Sequence, residues 1–287
     1  MPIRTILAPV DGSEASKSAM DMAFALGRDL PAHVDVLHVR PDPKDAVPLL
    51  GEGMSGAMIE EMIELAEKES GQHAQSARGM FEAACKDQNI PLAEMPDPAA
   101  GVTAGWIEIT GREDEITACR GRLADLIVVA RPVADSEVST TLTINAALFE
   151  SGRPVLIAPP GPPRSLTGTA VVAWNGSAEA ARSVAAAGPL LRRFDKVLIV
   201  TSGEGEAGVP SGDRLSQYLA WHGVASDVTT ISDGRGAGSE ILAACAGCDA
   251  NLLVMGAYTH SRLRQLILGG VTSHMLAEAT IPVLMSH

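Results

Sequence analysis

Aromatic residues are scarce in this sequence of 287 residues, which holds three Trp, two Tyr and four Phe. Hydrophobic residues still make up 46% of the chain, so most of them are aliphatic. This composition is typical of a globular protein whose core is built from Val, Ile, Leu and Ala. The length leaves room for one large domain or two ordinary ones.

Basic residues are also few, since the chain has 22 Lys and Arg against 35 Asp and Glu and a formal net charge of −13. A broad positive field for nucleic acid or anionic lipid is therefore excluded. No apolar stretch reaches the roughly 18 residues that span a membrane, and the apolar run near Met1 is too short for a signal peptide. We expect no nucleic-acid partner, no membrane and a cytoplasmic location.

Only four cysteines occur, Cys85, Cys119, Cys245 and Cys248, which fits a reducing compartment better than a disulfide framework. Cys245 and Cys248 form a CxxC motif, but they end a helical pattern and precede a strand pattern. A redox CxxC lies at a helix N-terminus, where the dipole lowers the thiol pKa, and a zinc site needs two further ligands. Structural cysteines are the favoured interpretation, and we predict no metal site.

The chain is made of two halves that repeat. Residues 6–13 read Ile-Leu-Ala-Pro-Val-Asp-Gly-Ser and precede a helical pattern over 14–30, with Ser13 as the expected N-cap. Residues 170–177 read Ala-Val-Val-Ala-Trp-Asn-Gly-Ser and precede a helical pattern over 178–192. Each half therefore opens with a strand, a tight turn and a helix.

The first half carries an insertion of about 38 residues. This follows from the sequence separation between matching segments of the two halves, which is not the same for every pair of segments. The opening repeat, at Asp11 and Asn175, has a longer offset than the later pair of apolar runs at 124–130 and 250–256. We expect the extra residues to include 41–70, with a Pro-bounded loop and an acidic helix around 58–66.

Short apolar runs separated by helical patterns predict an α/β fold. In the second half these runs are 170–174, 196–201, 225–231, 251–256 and 282–286. Runs without polar alternation are typical of parallel strands buried on both faces. We predict two tandem doubly wound domains, each with a five-stranded parallel sheet. The Pro-rich stretch 159–164 would link a domain over 1–160 to one over 166–287.

At this point the sequence resembles the universal stress proteins, in their tandem, two-domain form. The resemblance covers nearly the whole chain and is carried by residues 6–13, by Leu37-His38-Val39, by the segment from Val254 through Thr272, and by Ile281-Pro282-Val283-Leu284. It implies a Rossmann-like fold of the adenine nucleotide alpha-hydrolase type. It also implies a stress-response regulator or sensor that binds ATP or another adenine nucleotide, with Mg²⁺.

Family members that bind ATP carry Gly, two residues, Gly, nine residues, Gly and then Ser or Thr. Here the spacing from Gly256 to Gly269 is kept, but Thr259 replaces the second glycine and Gly270 replaces the hydroxyl residue, with Thr272 close behind. A β-branched residue is strongly disfavoured where φ must be positive, so Thr259 is the weak point of this loop.

The resemblance implies a nucleotide site in the second half, with phosphates at a helix N-terminus, where free backbone amides point at the ligand. Asn175 would hydrogen-bond the nucleoside as a neutral partner, Val200 would line the adenine pocket, and His260, Arg262 and Arg264 would add positive charge. The implied set is Ala173, Trp174, Asn175, Val200, Met255, Gly256, Thr259, Gly269, Gly270, Val271 and Thr272. The alternative is a strand-to-helix loop that needs glycine for turn geometry alone.

The first half lacks this loop. Residues 130–137 read Ala-Arg-Pro-Val-Ala-Asp-Ser-Glu. Proline removes a donor N–H, and Asp135 and Glu137 would repel a polyphosphate. We therefore interpret Asp11 as a turn or N-cap carboxylate rather than as a nucleoside ligand.

The Pro-Val-Leu runs at 154–157 and 282–285 are the expected last strands of the two halves. In the family this strand pairs antiparallel with its twin across a dimer two-fold axis. In a tandem chain the two copies would pair with each other and close two exposed sheet edges. We predict an internal pseudo-dimer, and further homodimerisation stays open.

Two smaller features favour ordinary interpretations. The Gly-rich stretch from Gly234 to Ser239 is not a G-x-G-x-x-G motif and no Walker lysine follows it, so we interpret it as a flexible loop with Ser239 as a helix cap. His222 and His260 have no ligand-spaced partner and are expected at the surface.

Three classes of function compete. The leading hypothesis is a nucleotide-binding stress protein with at most slow hydrolysis, because no Walker lysine or metal carboxylate accompanies the loop. The second is a signalling module of the same fold that binds no nucleotide and contacts unknown protein partners through the acidic insertion at 43–72. The third is an enzyme such as an ATP pyrophosphatase, whose Ser-Gly-Gly-x-Asp-Ser loop is absent, or an electron-transfer flavoprotein, which would be yellow.

Overall fold

The computed structural model describes residues 2–43, 56–94, 101–133, 138–203, 208–232, 236–257 and 270–287. These residues form strands and helices that alternate along the chain. The first half contains β1 (Thr5–Pro9), α1 (Glu14–Asp29), β2 (His33–Arg40), α2 (Gly56–Asp87), β3 (Thr103–Thr110), α3 (Glu113–Gly121), β4 (Leu126–Ala130), α4 (Val138–Glu150) and β5 (Val155–Ala158).

The second half repeats the strand and helix order of the first. It contains β6 (Thr169–Trp174), α5 (Ala178–Leu191), β7 (Lys196–Ser202), α6 (Gly212–Trp221), β8 (Ser226–Ile231), α7 (Ala237–Gly247), β9 (Ala250–Gly256), α8 (Gly270–Glu278) and β10 (Val283–Ser286). The predicted strands of this half are confirmed to within one residue at each end. None of the helices within the described ranges combines the length and apolarity needed to cross a bilayer.

All the strands form one ten-stranded sheet in the order β3-β2-β1-β4-β5-β10-β9-β6-β7-β8. Within each half the neighbouring strands are parallel, and the strand order reverses between β1 and β4 and again between β6 and β9. This is the doubly wound topology predicted from the sequence. Ligands of such sheets bind beyond the strand C-termini at these two switch points.

The two halves are joined by their last strands. β10 pairs antiparallel with β5, with Leu284 opposite Leu156 and Met285 opposite Val155. On its other side β10 pairs parallel with β9. Leu156 and Leu284 are fully buried, so the joint lies inside the core. The predicted internal pseudo-dimer is confirmed.

The strands are apolar on both faces because helices cover both sides of the sheet. Val172 and Val254 belong to the core cluster that includes α1 and α5, whereas Val171 and Leu253 belong to the cluster that includes α7 and α8. The edge strands β3 and β8 are the exceptions, since most residues of β3 and all those of β8 are half-buried or exposed.

The insertion of the first half contains α2, which is longer than the sequence indicated. A helix covers the predicted residues 58–66, and it runs on as far as Asp87. Its second part packs on the domain through a stripe at helical spacing, formed by Ser70, Ala74, Ala77, Phe81, Ala84 and Cys85. Its first part is mostly exposed and acidic. The predicted Pro-bounded loop falls mainly on residues 44–55, outside the described residues.

The joint between the halves predicts that the linker is dispensable for their association. We expect that cutting a protease site inserted at Pro162, in the exposed linker, leaves both fragments in one particle, because β5 and β10 bury their apolar side chains against each other. Size-exclusion chromatography of the cleaved protein checks this. Elution as two separate fragments under native conditions would contradict it.

Candidate functional site

The switch point of the second half brings together several residues of the predicted nucleotide set. β6 and β9 are neighbours, with Ala173 opposite Met255, so the chain leaves both strands at the same edge. Asn175 follows β6, and Gly256 is the last residue of β9. These residues lie at the position where open α/β sheets bind ligands.

Asn175 builds the turn that leads into α5. Its Oδ1 accepts a hydrogen bond from the Ser177 backbone N–H at 3.1 Å. The Ser177 hydroxyl then caps the helix by accepting from the Ala180 N–H, also at 3.1 Å. Asn175 itself is exposed, and no other group in the described part of the chain bonds to its amide.

The first half repeats this turn with a carboxylate. Asp11 Oδ1 accepts from the Ser13 N–H at 2.8 Å, and the Ser13 hydroxyl caps α1 by accepting from the Ser16 N–H at 3.1 Å. Desolvation raises the pKa of Asp11, but hydrogen bonds from Ser13 and Ser16 outweigh it, so the net pKa is lowered. Both the N-cap at Ser13 and the turn role of Asp11 are confirmed.

Gly256 is required by helix packing. A Cβ at this position would lie 2.6 Å from the Ala180 backbone N and 2.9 Å from the Glu179 Cβ, at the start of α5. The neighbouring Met255 carbonyl accepts a 2.7 Å hydrogen bond from the hydroxyl of Ser183, which is fully buried. The close approach of α5 therefore explains this glycine without a ligand. The reason is helix packing and not the turn geometry that the alternative interpretation proposed.

The segment after β7 lies against the end of β6. The Trp174 indole Nε1 donates to the Pro210 carbonyl at 2.7 Å. A Cβ on Gly176, whose φ is +72°, would lie 2.0 Å from Val209 Cγ1. This side of the switch point is thus closely packed by the chain itself.

Val200 and Ala173, two residues of the implied nucleotide set, pack against the core. Val200 is 2% exposed and packs in the core cluster with Ile241 and Met275. Ala173 is half-buried against the same cluster. Contact between Val200 and a base would require an opening beside it.

The start of α8 is accessible. A Cβ on Gly270 would have no heavy atom within 4 Å. Val271 is half-buried and Thr272 is buried. Thr259 and Gly269, together with His260, Arg262 and Arg264, lie outside the described residues.

The corresponding strand end of the first half is in contact with α2, although Asp11 itself is exposed. A Cβ on Gly12 would lie 3.5 Å from the Ala77 Cβ of that helix. His38 is 4% exposed, its Nδ1 lies 2.8 Å from the Val10 carbonyl oxygen, and its ring stacks on Trp106 with centroids 5.9 Å apart. The sequence marked His38 as part of a strand end, but nothing in the local pattern indicated that α2 would lie over it.

The CxxC motif lies at the C-terminal end of α7, as predicted. Cys245 is in the last turn and Cys248 is the C-cap residue. Burial raises the pKa of the Cys245 thiol to about 12, so the thiol stays protonated at neutral pH. Within the described ranges no group of three or more His, Cys, Asp or Glu is placed to hold a metal ion.

Of the remaining predictions, one is confirmed and one is wrong. His222 is exposed and its ring packs on Tyr218, with centroids 4.6 Å apart. Ser239 does not cap α7, because the helix begins two residues earlier with Gly236 as its N-cap. Its hydroxyl instead lies 3.3 Å from His274 Nε2 on α8.

Comparison with known proteins gives one family. The profile of the universal stress protein family matches residues 2–132 and again 167–287. No curated protein sequence gives a significant match.

Two of the solved structures that resemble this chain align over nearly its whole length. A universal stress protein from Archaeoglobus fulgidus DSM 4304 aligns over 98% of this chain and 97% of its own, at 20% identity and a TM-score of 0.62. A functionally unknown protein from Pseudomonas aeruginosa PAO1 aligns over 98% and 92%, at 14% identity and a TM-score of 0.56. A universal stress protein in complex with cAMP aligns over 56% of this chain and 100% of its own, at 17% identity and a TM-score of 0.35. At such identities the likeness concerns the fold alone.

The packing of Gly256 predicts that two glycines respond differently to the same change. Gly256→Ala should lower the free energy of unfolding by about 1–3 kcal/mol, because the new methyl group meets the backbone of α5. Gly270→Ala should leave stability unchanged or slightly improved, because its methyl group meets nothing. Urea unfolding measures both, and equal midpoints for the two variants would show that α5 does not pack on Gly256.

Cysteine reactivity provides an independent check of burial. At about pH 8, iodoacetamide should label the exposed Cys119 in the native protein and leave Cys245 and Cys85 unlabelled, since burial raises the pKa of Cys245 to about 12 and that of Cys85 to about 11. Mass spectrometry of the labelled peptides gives the result. In denaturant all the cysteines should react, and native labelling of Cys245 at the rate of Cys119 would contradict the packing.

Proposed function

The chain belongs to the universal stress protein family, and from this premise we propose that it binds ATP with Mg²⁺, or a related adenine nucleotide, in its second half. On this proposal the protein acts in the cytoplasm as a sensor or regulator of a stress response. The proposal rests on the geometry of the two switch points. It is not carried by the likeness to any single solved structure.

The observation that carries the proposal is the difference between the two halves. In the first half, α2 lies against the strand end at Gly12, and the loop after β4 contains Pro132. In the second half, Gly270 faces open space at the start of α8, and Asn175 is exposed, as its counterpart Asp11 is in the first half. The half that retains the glycines therefore has an accessible helix start at Gly270.

These residues fit a nucleotide in a definite way. The first amides of α8 have no partner within the helix and carry its positive dipole end, so they suit a phosphate group. α8 has no acidic residue in its first turn that would oppose an anion. The Asn175 amide can donate to a ribose hydroxyl or a base edge while its Oδ1 keeps the turn. The α8 amides and Asn175 would thus hold the phosphates and the nucleoside of ATP in a defined position.

The second candidate function, an interaction module without nucleotide, also has an observation in its favour. Val200 is buried, and Pro210 closes over Trp174. The exposed first part of α2 offers an acidic surface for a protein partner. Nucleotide binding separates the two functions, because a module of this kind would bind its partner whether or not ATP is present.

Calorimetry with Mg-ATP tests the proposal. The natural chain should bind one nucleotide, and Gly270→Val should weaken binding about ten-fold or more, because the side chain obstructs amides that hold a charged group. Gly79→Val is the matched control, since a Cβ on Gly79 in α2 also meets nothing within 4 Å. No heat of binding at about millimolar ATP would overturn the proposal and leave the interaction module.

A further inference from the structure

An arginine of the first half reaches the end of a second-half helix. Arg131 follows β4, and its backbone N–H donates to the Ala158 carbonyl at 2.8 Å, which fixes it to β5. Its guanidinium Nη1 donates to the carbonyls of Ala277 and of Leu276, the latter at 3.4 Å. Both carbonyls belong to the last turn of α8.

The antiparallel joint explains why these groups meet. Because β5 and β10 run in opposite directions, the strand C-termini of the first half lie at the edge where the second-half strands begin. α8 runs back along the sheet from the C-terminal edge of its own half. Its C-terminus therefore arrives beside the end of β4, where Arg131 stands.

α8 has no cation of its own at this end. Its last turn contains Glu278 and no basic residue, which is the unfavourable sign for the negative end of the helix dipole. Arg131 provides the missing positive charge from the other half of the chain. Among the described residues no carboxylate forms an ion pair with Arg131. The hydrogen-bond partners of its guanidinium in this part of the chain are therefore the carbonyls of α8.

Met275 and Leu276 of α8 share an apolar cluster with Ile144 of α4, but the packing beside Arg131 is incomplete. A cavity of about 490 Å³ adjoins it, lined by Arg131, Val133 and Thr141 on one side and by Ser273 and Leu276 on the other. Side chains that line such a space lose dispersion contacts with each other. The hydrogen bonds of Arg131 therefore contribute a larger share of the contact between α8 and the first half. α8 is therefore held to the first half by a polar clamp beside an open space.

We propose that Arg131 is a positioning residue. It holds α8 in place from the first half, and because α8 is one helix, it thereby positions the helix start that would bind phosphate in the second half. The segment that follows β4 in the first half thus supports α8 in the second half. This inference rests on the proposed function for its effect on nucleotide, but the clamp on α8 stands apart from it.

Two readouts on the full-length chain test the proposal. Arg131→Met should speed hydrogen exchange of the α8 amides without nucleotide, and should raise the Kd for Mg-ATP roughly five-fold, up to about ten-fold. Arg131→Lys keeps the charge and should restore most of both. Arg153→Met is the matched control, because Arg153 also donates to a helix-terminal carbonyl, that of Arg122 at 2.7 Å, but at the end of α3.

The outcomes are distinguishable. Faster α8 exchange and weaker ATP binding in Arg131→Met, with the Arg153→Met variant unchanged in both, support the inference. Unchanged α8 exchange in Arg131→Met overturns it, whatever the nucleotide result. Equal losses of affinity in the Met variants of Arg131 and Arg153 also overturn it, because they would show a general loss of stability. If the natural chain binds no ATP, the proposed function fails, and exchange alone decides whether Arg131 holds α8.

Discussion

The antiparallel pairing of β5 with β10 is the constraint on which the rest of the molecule depends. It turns two five-stranded sheets into one and buries Leu156 and Leu284 at the centre. It also sets the relative orientation of the two halves, because the C-terminal ends of their strands must then lie at opposite edges of the sheet. The two switch points are held apart, and the end of α8 is brought beside the end of β4.

The two halves keep the same turn and differ in what surrounds it. Asp11 and Asn175 each accept a hydrogen bond from the backbone two residues later, and a serine caps the helix in both. A carboxylate and an amide serve this turn equally well, since each offers an oxygen acceptor. The residue type at this position is therefore explained by the backbone. The halves differ in the loop that follows the fourth strand of each, which contains Pro132 in the first half and keeps Gly269 and Gly270 in the second.

Much of the architecture could be predicted from the sequence because it depends on local pattern. Apolar runs predicted the positions of the second-half strands. These positions depend on which residues must leave water, and that information is contiguous in the chain. The joint between the repeated Pro-Val-Leu runs was predicted from the resemblance to the family, in which this strand pairs with its twin.

The contacts that shape the candidate site depend on residues far apart in the chain. Arg131 looked only like the remnant of a lost loop, because its partners on α8 lie about 145 positions away. Small residues such as Ala77 gave no sign that α2 would lie over Gly12. Gly256 suggested a ligand, whereas the approach of α5 already requires it. Ser239 looked like a cap because serine is common there, but α7 begins at another residue.

The covalent link between the halves has a consequence for how the protein responds to concentration. Two separate subunits with the same fold would offer two equivalent sites, and occupation of one could alter the other. Here the copies are always present in equal number, and the second copy keeps Gly256, Gly269 and Gly270, whereas the matching loop of the first contains Pro132. If the second copy alone takes a ligand, one sheet binds one molecule. Saturation within a single chain then follows a simple hyperbola, and any steeper response has to arise between chains.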